Sequence, residues 1–373
     1  MKPADHLDAL IRIPSVSALS NRPLLDYAAA ALHSAGWSTQ RFPCPDAASP
    51  DKANLLAAPP GQPIDAHAVD LVCVCHTDTV PFAPSWTDAL VPRLLDGVLH
   101  GCGACDVKGF LACLLAFADA PPPASFPSGL RFLFTADEEI GCRGAAHFLA
   151  HYPLRPRRVL VGEPTSLHPA RAGKGYCLAR ITVHGREAHS AHPALGISAI
   201  THAARLLLAL DALAADLART TNPFFDPPST TLNIGTIEGG TAKNIVPGRC
   251  QFQLEWRPLP SDPPDRVLDA VRACADRLHL ADPTFSCDIG PLRRQPGFET
   301  PADAPLVRAL EAASGRPAVA IPFGSEASLF APIAEETVVF GPGDMRTAHS
   351  PRECVPLADL DEAVAILRAV TAM

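Results

Sequence analysis

The stretch Leu71–Pro81, LVCVCHTDTVP, sets five apolar residues directly before His76-Thr77-Asp78. A continuous apolar run of this kind, flanked by polar residues, predicts a strand buried on both faces. In open α/β sheets ligands gather outside the carboxyl ends of the strands, and a histidine and a carboxylate stand at that end here. The arrangement recurs. Leu130–Thr135 (LRFLFT) runs into Asp137-Glu138-Glu139, Arg158–Gly162 (RVLVG) into Glu163, and Thr337–Gly341 (TVVFG) through Gly-Pro-Gly to His349. Between the first two, the loop Gly101-Cys102-Gly103-Ala104-Cys105-Asp106 leads into a helical run from Lys108 to Asp119. If one sheet holds these strands, two histidines and several carboxylates meet along one of its edges.

The flanking chain fits such a sheet. Leu7–Ile13 and Arg22–Ala35 carry apolar residues at helical spacing, and Gly36 stops the second run. Trp37–Phe42 and Ala53–Ala58 read as short strands. Strand, loop and helix alternate as far as Glu163, the pattern of a mostly parallel α/β sheet with helices on both faces. Beyond Lys174 the character changes. Leu178–Gly185 alternates like a half-exposed strand, Ile197–Leu217 is a long amphipathic helix, and Thr230–Ile237 and Arg249–Arg257 are strands. Arg266–Leu278 is a helix and Pro283–Ile289 a last strand. This β-α-β-β-α-β order is the ferredoxin-like split unit. It holds none of the suspected metal ligands. The expected organisation is therefore a discontinuous catalytic domain, 1–175 and 292–373, with an inserted α+β domain at 176–291. After the insert come a helix at Ala304–Ala313, a strand at Ala318–Pro322, a turn at Phe323–Glu326, and a final helix at Leu357–Thr371.

A chain of 373 residues with 47% hydrophobic and 19% charged residues is globular and long enough for two domains. A net charge of −8 argues against nucleic acid or an anionic membrane as the main partner. No apolar run reaches the roughly 18 residues of a membrane span. The start, MKPADHLDAL, lacks the layout of a signal peptide, so a cytoplasmic location is expected. Prolines are scattered without a repeat, and tracts such as Pro121-Pro122-Pro123 are short. Cys73, Cys75 and Cys113 lie in apolar runs and read as small hydrophobes. Cys102 and Cys105 form a lone CxxC, which reads as two unpaired loop thiols rather than as a zinc or redox motif.

Each candidate ligand is weak by itself. HxD at 76–78 also describes a structural pair, Glu138-Glu139 also describes a solvated acidic turn, and His349 is one of 14 histidines. Their joint position at strand ends carries the argument. Such a mix of nitrogen and oxygen donors suits zinc, cobalt or manganese. Two such ions about 3.5–4 Å apart need a bridging carboxylate, and a neighbouring carboxylate can take a proton from the attacking water. No GxGxxG or GxxxxGK[ST] follows a strand, and no GxSxG is present, so nucleotide-binding and serine-hydrolase readings are disfavoured.

HTDTVP at 76–81, GxGxxDVKG at 101–109, TADEEIG at 135–141, GEPT at 162–165, GREAHSAHP at 185–193 and AHSP at 348–351 resemble the M20 family of co-catalytic zinc hydrolases, in the family's order. That resemblance implies two divalent ions, zinc with cobalt as an alternative. His76 and Glu163 would hold one ion, Glu139 and His349 the other, with Asp106 between them. Glu138 would be the general base and Asp78 would hydrogen-bond His76. It also implies a cis peptide at Asp106-Val107, and an inserted domain acting as lid and homodimer surface. His189 would then reach the opposite subunit's site, where His192 is a chemical rival, and Asn244 and Arg257 would contact a substrate carboxylate. Arg257 has a competing surface role as a partner of Glu255 or Asp262.

Within the family, the segments GEPTSLHPARAGKG, TLNIGTIEGG, RPLP and GPG resemble the branch that deacetylates N-acetyl-L-ornithine to ornithine and acetate in arginine biosynthesis. There Gly324 and Glu326 would join the substrate site, Glu326 facing a cationic side chain. N-acetylcitrulline deacetylase, succinyl-diaminopimelate desuccinylase, aminoacylase and dipeptidase activities are the alternatives. A non-catalytic binding relative would show eroded ligands, and here all five ligands and Glu138 are present.

Overall fold

The computed structural model describes residues 1–44, 51–119 and 129–372; the Pro121–Pro123 tract lies outside them. In chain order the elements are α1 (Pro3–Ile11), α2 (Arg22–Ser34), β1 (Ser38–Pro43), β2 (Ala53–Ala58), β3 (Ala68–His76), β4 (Arg93–Leu95), β5 (Val98–His100), α3 (Lys108–Asp119), β6 (Leu130–Thr135), α4 (Arg143–His151), β7 (Arg155–Val161) and β8 (Ala170–Gly173). Then follow β9 (Tyr176–His184), β10 (Ala188–His189), α5 (Ala199–Leu217), β11 (Thr231–Gly239), β12 (Ile245–Val246), β13 (Arg249–Arg257), α6 (Asp265–Ala281) and β14 (Ser286–Gln295). The chain closes with β15 (Phe298–Glu299), α7 (Pro305–Ser314), β16 (Val319–Ile321), α8 (Ala327–Phe330), β17 (Glu336–Val339), β18 (Cys354–Pro356) and α9 (Leu357–Thr371). These elements form two compact units, one of 1–172, 299–319 and 325–373, the other of 173–298 and 320–324.

In the first unit the main sheet runs β1-β2-β6-β3-β7-β17-β8-β15. Its centre, β6-β3-β7-β17, is parallel, and β1 and β2 extend it antiparallel. Register fixes the functional edge: His76 lies opposite Thr135, Val74 opposite Val161, and Val161 opposite Val339. The segments after β3, β6, β7 and β17 therefore leave from the same side. All six residues of β6 and the last six of β3 are buried, as their unbroken apolar sequence requires. One face, with Leu71, Cys73, Phe132 and Phe134, shares a core with α1, α2, α3, α7 and α9. On the other, α4 packs on β2 and α8 on β7 and β17. Helix α3 is buried on every side from Lys108 to Ala118, in keeping with an apolar sequence that has no polar stripe.

The second unit contains an antiparallel sheet in the order β11-β13-β9-β14. Alternate residues of β9 (Cys177, Ala179, Ile181, Val183) and β13 (Cys250, Phe252, Leu254, Trp256) face α5 and α6. The β-α-β-β-α-β succession is the one expected from sequence. Helix α5 begins at Ala199 rather than Ile197, because Ile197 exchanges backbone hydrogen bonds with Arg186 (2.8 and 2.9 Å), and Ser198 caps the helix through Thr201 N–H at 3.2 Å. The last strand continues past Gly290-Pro291 to Gln295 through a register shift. An edge strand tolerates a proline at a bulge, so the boundary read at residue 291 falls inside β14. Among the described residues no helix is long and apolar enough to cross a membrane. All twelve cysteines are free, Cys102 and Cys105 among them.

Candidate active site

The four segments leaving the parallel edge converge in the first unit. At the end of β3, His76 donates from Nδ1 to the backbone carbonyl of Asp78 at 2.9 Å. A carbonyl only accepts, so Nδ1 keeps its proton and the lone pair of the neutral ring belongs to Nε2, which lies 3.1 Å from Oδ1 of Asp106. The hydrogen bond expected between Asp78 and His76 is thus made by the backbone. The Asp78 carboxylate lies 3.7 Å from Nδ1. It accepts instead from the N–H groups of Glu138 (3.0 Å) and Glu139 (3.3 Å) and from the hydroxyl of Ser17 (2.7 Å).

Asp106 has a histidine on each of its oxygens. Oδ1 faces His76, and Oδ2 lies 3.1 Å from Nε2 of His349. The same nitrogen is 3.1 Å from Oε1 of Glu139. The Asp106-Val107 peptide is cis, as the resemblance implies. Glu353, just before β18, accepts the N–H groups of Asp106 (3.1 Å) and Cys105 (3.3 Å) and so holds the loop. Glu163 follows β7 and is 3% exposed. It is preceded by Gly162, where a Cβ would stand 2.1 Å from the Phe110 ring. Glu138, 8% exposed, receives the thiol of Cys142 at 3.2 Å.

Crowding of buried acids dominates the electrostatics. Burial, ahead of repulsion by Asp106, raises the Glu163 carboxyl well above its usual value. Burial likewise pushes Glu139 up to about 7 against the His349 hydrogen bond. Hydrogen bonds to Asp106 and Glu139 raise His349 to about 10. Burial works against a charged His76, yet Asp106 and Glu163 hold its pKa well above the histidine value. For Asp106, burial is outweighed by its hydrogen bonds from His349 and His76, which keep it ionised. This is the charge pattern of a cluster built around cations: excess carboxylate, with imidazolium supplying the compensating charge. His76, Asp106 and Glu139 each offer a ligand atom, all within 4.8 Å of one another. The donor set, nitrogen and carboxylate oxygen without thiolate, fits zinc or a similar divalent ion.

Glu326 is also buried, 1% exposed, and accepts from Thr135 Oγ1 at 2.9 Å. Burial, then the Glu138 charge, raises it to about 8.

The remaining expected site residues belong to the second unit. His189 is exposed on β10, which pairs with β12. Its Nδ1 accepts the N–H of Ala191 at 3.0 Å, so the proton of the neutral ring is on Nε2. Asn244 is exposed, and its carbonyl accepts the Ser190 N–H at 3.0 Å. Arg257 pairs with Glu255 at 2.9 Å and lies 4.5 Å from the Tyr176 ring centroid, the surface partnership weighed from sequence. A Cβ at Gly324 would meet that of Tyr176 at 2.8 Å.

Ser17, Lys52 and Cys142 escaped the sequence reading, while Glu353 closes the AH-P-E pattern at 348–353, which gave it no role. Asp96-Gly97, with φ of 48° and 78°, is a hairpin turn between β4 and β5, onto which β18 pairs. Ser17 and Lys52 lie far from the ligands in sequence and carry no spacing signal.

Residues 73–372 match peptidase family M20/M25/M40. An acetylornithine deacetylase from Myxococcus xanthus is 43% identical over 97% of this chain and 94% of its own length. Among solved structures, a tripeptidase from Staphylococcus aureus superposes with a TM-score of 0.78 at 20% identity, covering 99% of this chain and 97% of that one. An M20 family metallo-carboxypeptidase from Sulfolobus solfataricus also reaches 0.78, at 16% identity, covering 100% and 98%. With the fold, the ligand geometry and a sequence match over most of its length in agreement, the chain belongs to peptidase family M20/M25/M40.

Proposed function

We propose that this chain is a metal-dependent amidohydrolase that removes the acetyl group from N-acetyl-L-ornithine, giving ornithine and acetate. One observation carries the reading: Asp106 presents one carboxylate oxygen to His76 and the other to His349, each at 3.1 Å. A carboxylate gripped from both sides by ring nitrogens is the arrangement a bridging ligand needs. His76 and Glu163 would hold one divalent ion, Glu139 and His349 the other. Such a pair, zinc or cobalt, would supply Lewis acidity for the scissile carbonyl and a lowered pKa, toward about 7, for the attacking water.

The chain's own groups do the rest. The Asp78 carbonyl keeps His76 in the tautomer whose Nε2 faces the ion. Glu138 takes a proton from the water as the C–O bond to the acetyl carbon forms, and then gives it to the departing amine as the C–N bond breaks. Support for this division of labour is that Glu138 and Glu139 are adjacent but have different partners, the Cys142 thiol and His349. His189, with its Nε2–H outward, suits donation to a substrate carbonyl, and the family resemblance assigns that donor to the other subunit of a homodimer. Asn244 and Arg257 remain the proposed carboxylate contacts, the latter after leaving Glu255. The inserted unit acts as lid and dimer surface, and arginine biosynthesis in the cytoplasm is the proposed setting. The acetylornithine assignment is supported by the 43% identity to a relative of that name. Gly324 and Glu326 remain the proposed substrate-site residues near the side chain, Glu326 being buried and bonded by Thr135.

The test strips the purified protein with a chelator and measures acetate release from N-acetyl-L-ornithine and N-acetyl-L-citrulline, and succinate release from N-succinyl-diaminopimelate, with and without added zinc or cobalt. Metal-dependent release fastest on acetylornithine is expected. A faster rate on either other substrate reassigns the substrate, and no metal dependence overturns the mechanism.

A further inference from the structure

Beneath the Glu138–Glu139 peptide lies a buried ring of side chains outside the ligand set. Lys52 is 2% exposed, and its ammonium bonds both the Asp137 carboxylate and the backbone carbonyl of Ser17. Ser17 in turn donates its hydroxyl to Asp78 Oδ2 at 2.7 Å. Asp78 receives the N–H groups of Glu138 and Glu139, which closes the ring. Asp137 stands at φ 56°, a left-handed conformation that non-glycine residues adopt at a cost. The bonds from Arg143 N–H to the Asp137 carbonyl (3.0 Å) and from Gly141 and Cys142 N–H to the Glu138 carbonyl (2.9 Å) are internal to the turn. Asn54 ties its two ends, accepting the Ala136 N–H at 3.0 Å and donating to the Gly144 carbonyl at 2.8 Å. Lys52 is the charged hold between those ends.

We propose that Lys52 is a positioning residue for the reaction. Through Asp137 on one side, and through Ser17 and Asp78 on the other, it sets the rotation of the peptide joining Glu138 to Glu139. That rotation decides that Glu139 reaches His349 and the ion site while Glu138 turns to the Cys142 side, where it carries the proton. The inference rests on the roles proposed above for these two carboxylates. A buried ion pair is a weak stabiliser, because desolvation of both charges offsets their attraction. What the pair supplies here is geometry: a rigid cation with two partners, each leading to the same peptide.

The test must separate positioning from a plain structural ion pair. Lys52→Met and Asp137→Asn each leave one buried group unpaired, so the decisive variant is K52M/D137N, which buries no lone charge and keeps a residue that tolerates the left-handed region. Melting temperature, Zn²⁺ affinity without substrate, and kcat and KM on N-acetyl-L-ornithine are measured. The double variant is expected to melt near the wild type. It is expected to bind Zn²⁺ more weakly than the wild type and to turn over roughly 10–100-fold less well, the range for losing a group that orients a metal ligand, with KM little changed. Wild-type Zn²⁺ affinity and kcat in a double variant that melts normally would reduce the pair to a structural one and overturn the proposal. Ser17→Ala removes a hydroxyl and no charge, and decides the matter if the Lys52 variants do not fold. A lower kcat with normal melting supports the ring, and unchanged kcat and Zn²⁺ affinity overturn it. A wild type inactive on every acyl substrate, beside variants that still lose Zn²⁺ affinity, faults the assigned reaction and supports the positioning role.

Discussion

The imidazole of His76 is oriented by the backbone carbonyl of Asp78, 2.9 Å from Nδ1, while the carboxylate of the same residue serves the Glu138–Glu139 peptide. One residue thus orients a candidate ligand with its main chain and the turn after β6 with its side chain. Asp78→Ala removes only the second function. Turnover is expected to fall about 10–100-fold while the ion at His76 and Glu163 stays bound. Metal titration checks this: loss of the His76-side ion would mean that the carboxylate holds the ring after all.

Glu138→Gln preserves size and loses the proton-accepting charge. Turnover is expected to drop by roughly 10²–10⁴-fold, the usual contribution of a general base, with metal content and melting temperature unchanged. A variant retaining wild-type kcat would return Glu138 to the role of a buried acid beside Cys142.

How much of this was legible beforehand follows the physics of each signal. Strands buried on both faces write themselves as unbroken apolar runs, so β3 and β6 and the acids after them stood out, as did helix α3. The cis peptide and ligand assignments came with the family resemblance, since spacing alone does not pair His76 with Glu163. The ring of Ser17, Lys52 and Asp137 was invisible: its members are joined across 35 and 85 positions by single side-chain bonds. Helix α4 was hidden behind glycines at 141 and 144. Of these, Gly144 is required because a Cβ there would lie 2.2 Å from the Ala136 carbonyl. The burial of Glu326 was not legible, because it depends on tertiary packing around Thr135 that no local pattern records.

Packing behind the cluster gives a stability prediction. A Cβ on Gly162 would stand 2.1 Å from the Phe110 ring, which is wholly buried on α3. Gly162→Ala is expected to destabilise the fold by about 1–3 kcal/mol, the range for overpacking. Glu163 is the next residue, so Zn²⁺ affinity should weaken as well. Urea unfolding of the metal-free and metal-loaded variants measures both effects, and an unchanged midpoint would show that the helix yields without cost.

The pH dependence of stability is expected to change on metal binding. In the metal-free protein burial lifts Glu139 and Glu353 from 4.5 to about 7 and Glu326 to about 8. A carboxyl with a raised folded-state pKa binds its proton more tightly when folded. Its contribution is complete below pH 4.5 and is lost as pH climbs to 7 or 8. His349, raised from 6.5 to about 10, loses its contribution in the same direction, above pH 6.5. His6 and, at the upper end of the range, Lys108, lowered by burial to about 8, oppose them. The melting temperature of chelator-treated protein should therefore fall between pH 5.5 and pH 8. Zinc requires the ligands deprotonated, so its binding should release protons and weaken as pH drops, first against the His349 proton, held up to about 10, and further below about 7, where Glu139 takes up its proton. The melting-temperature gain on adding Zn²⁺ should accordingly be larger at pH 8 than at pH 5.5. Differential scanning calorimetry at both pH values, with and without the ion, reads all of this. A metal-free protein whose melting temperature rises from pH 5.5 to pH 8 would mean that the carboxylates are already neutralised by partners within the chain, and that the cluster has no charge left for a cation to answer.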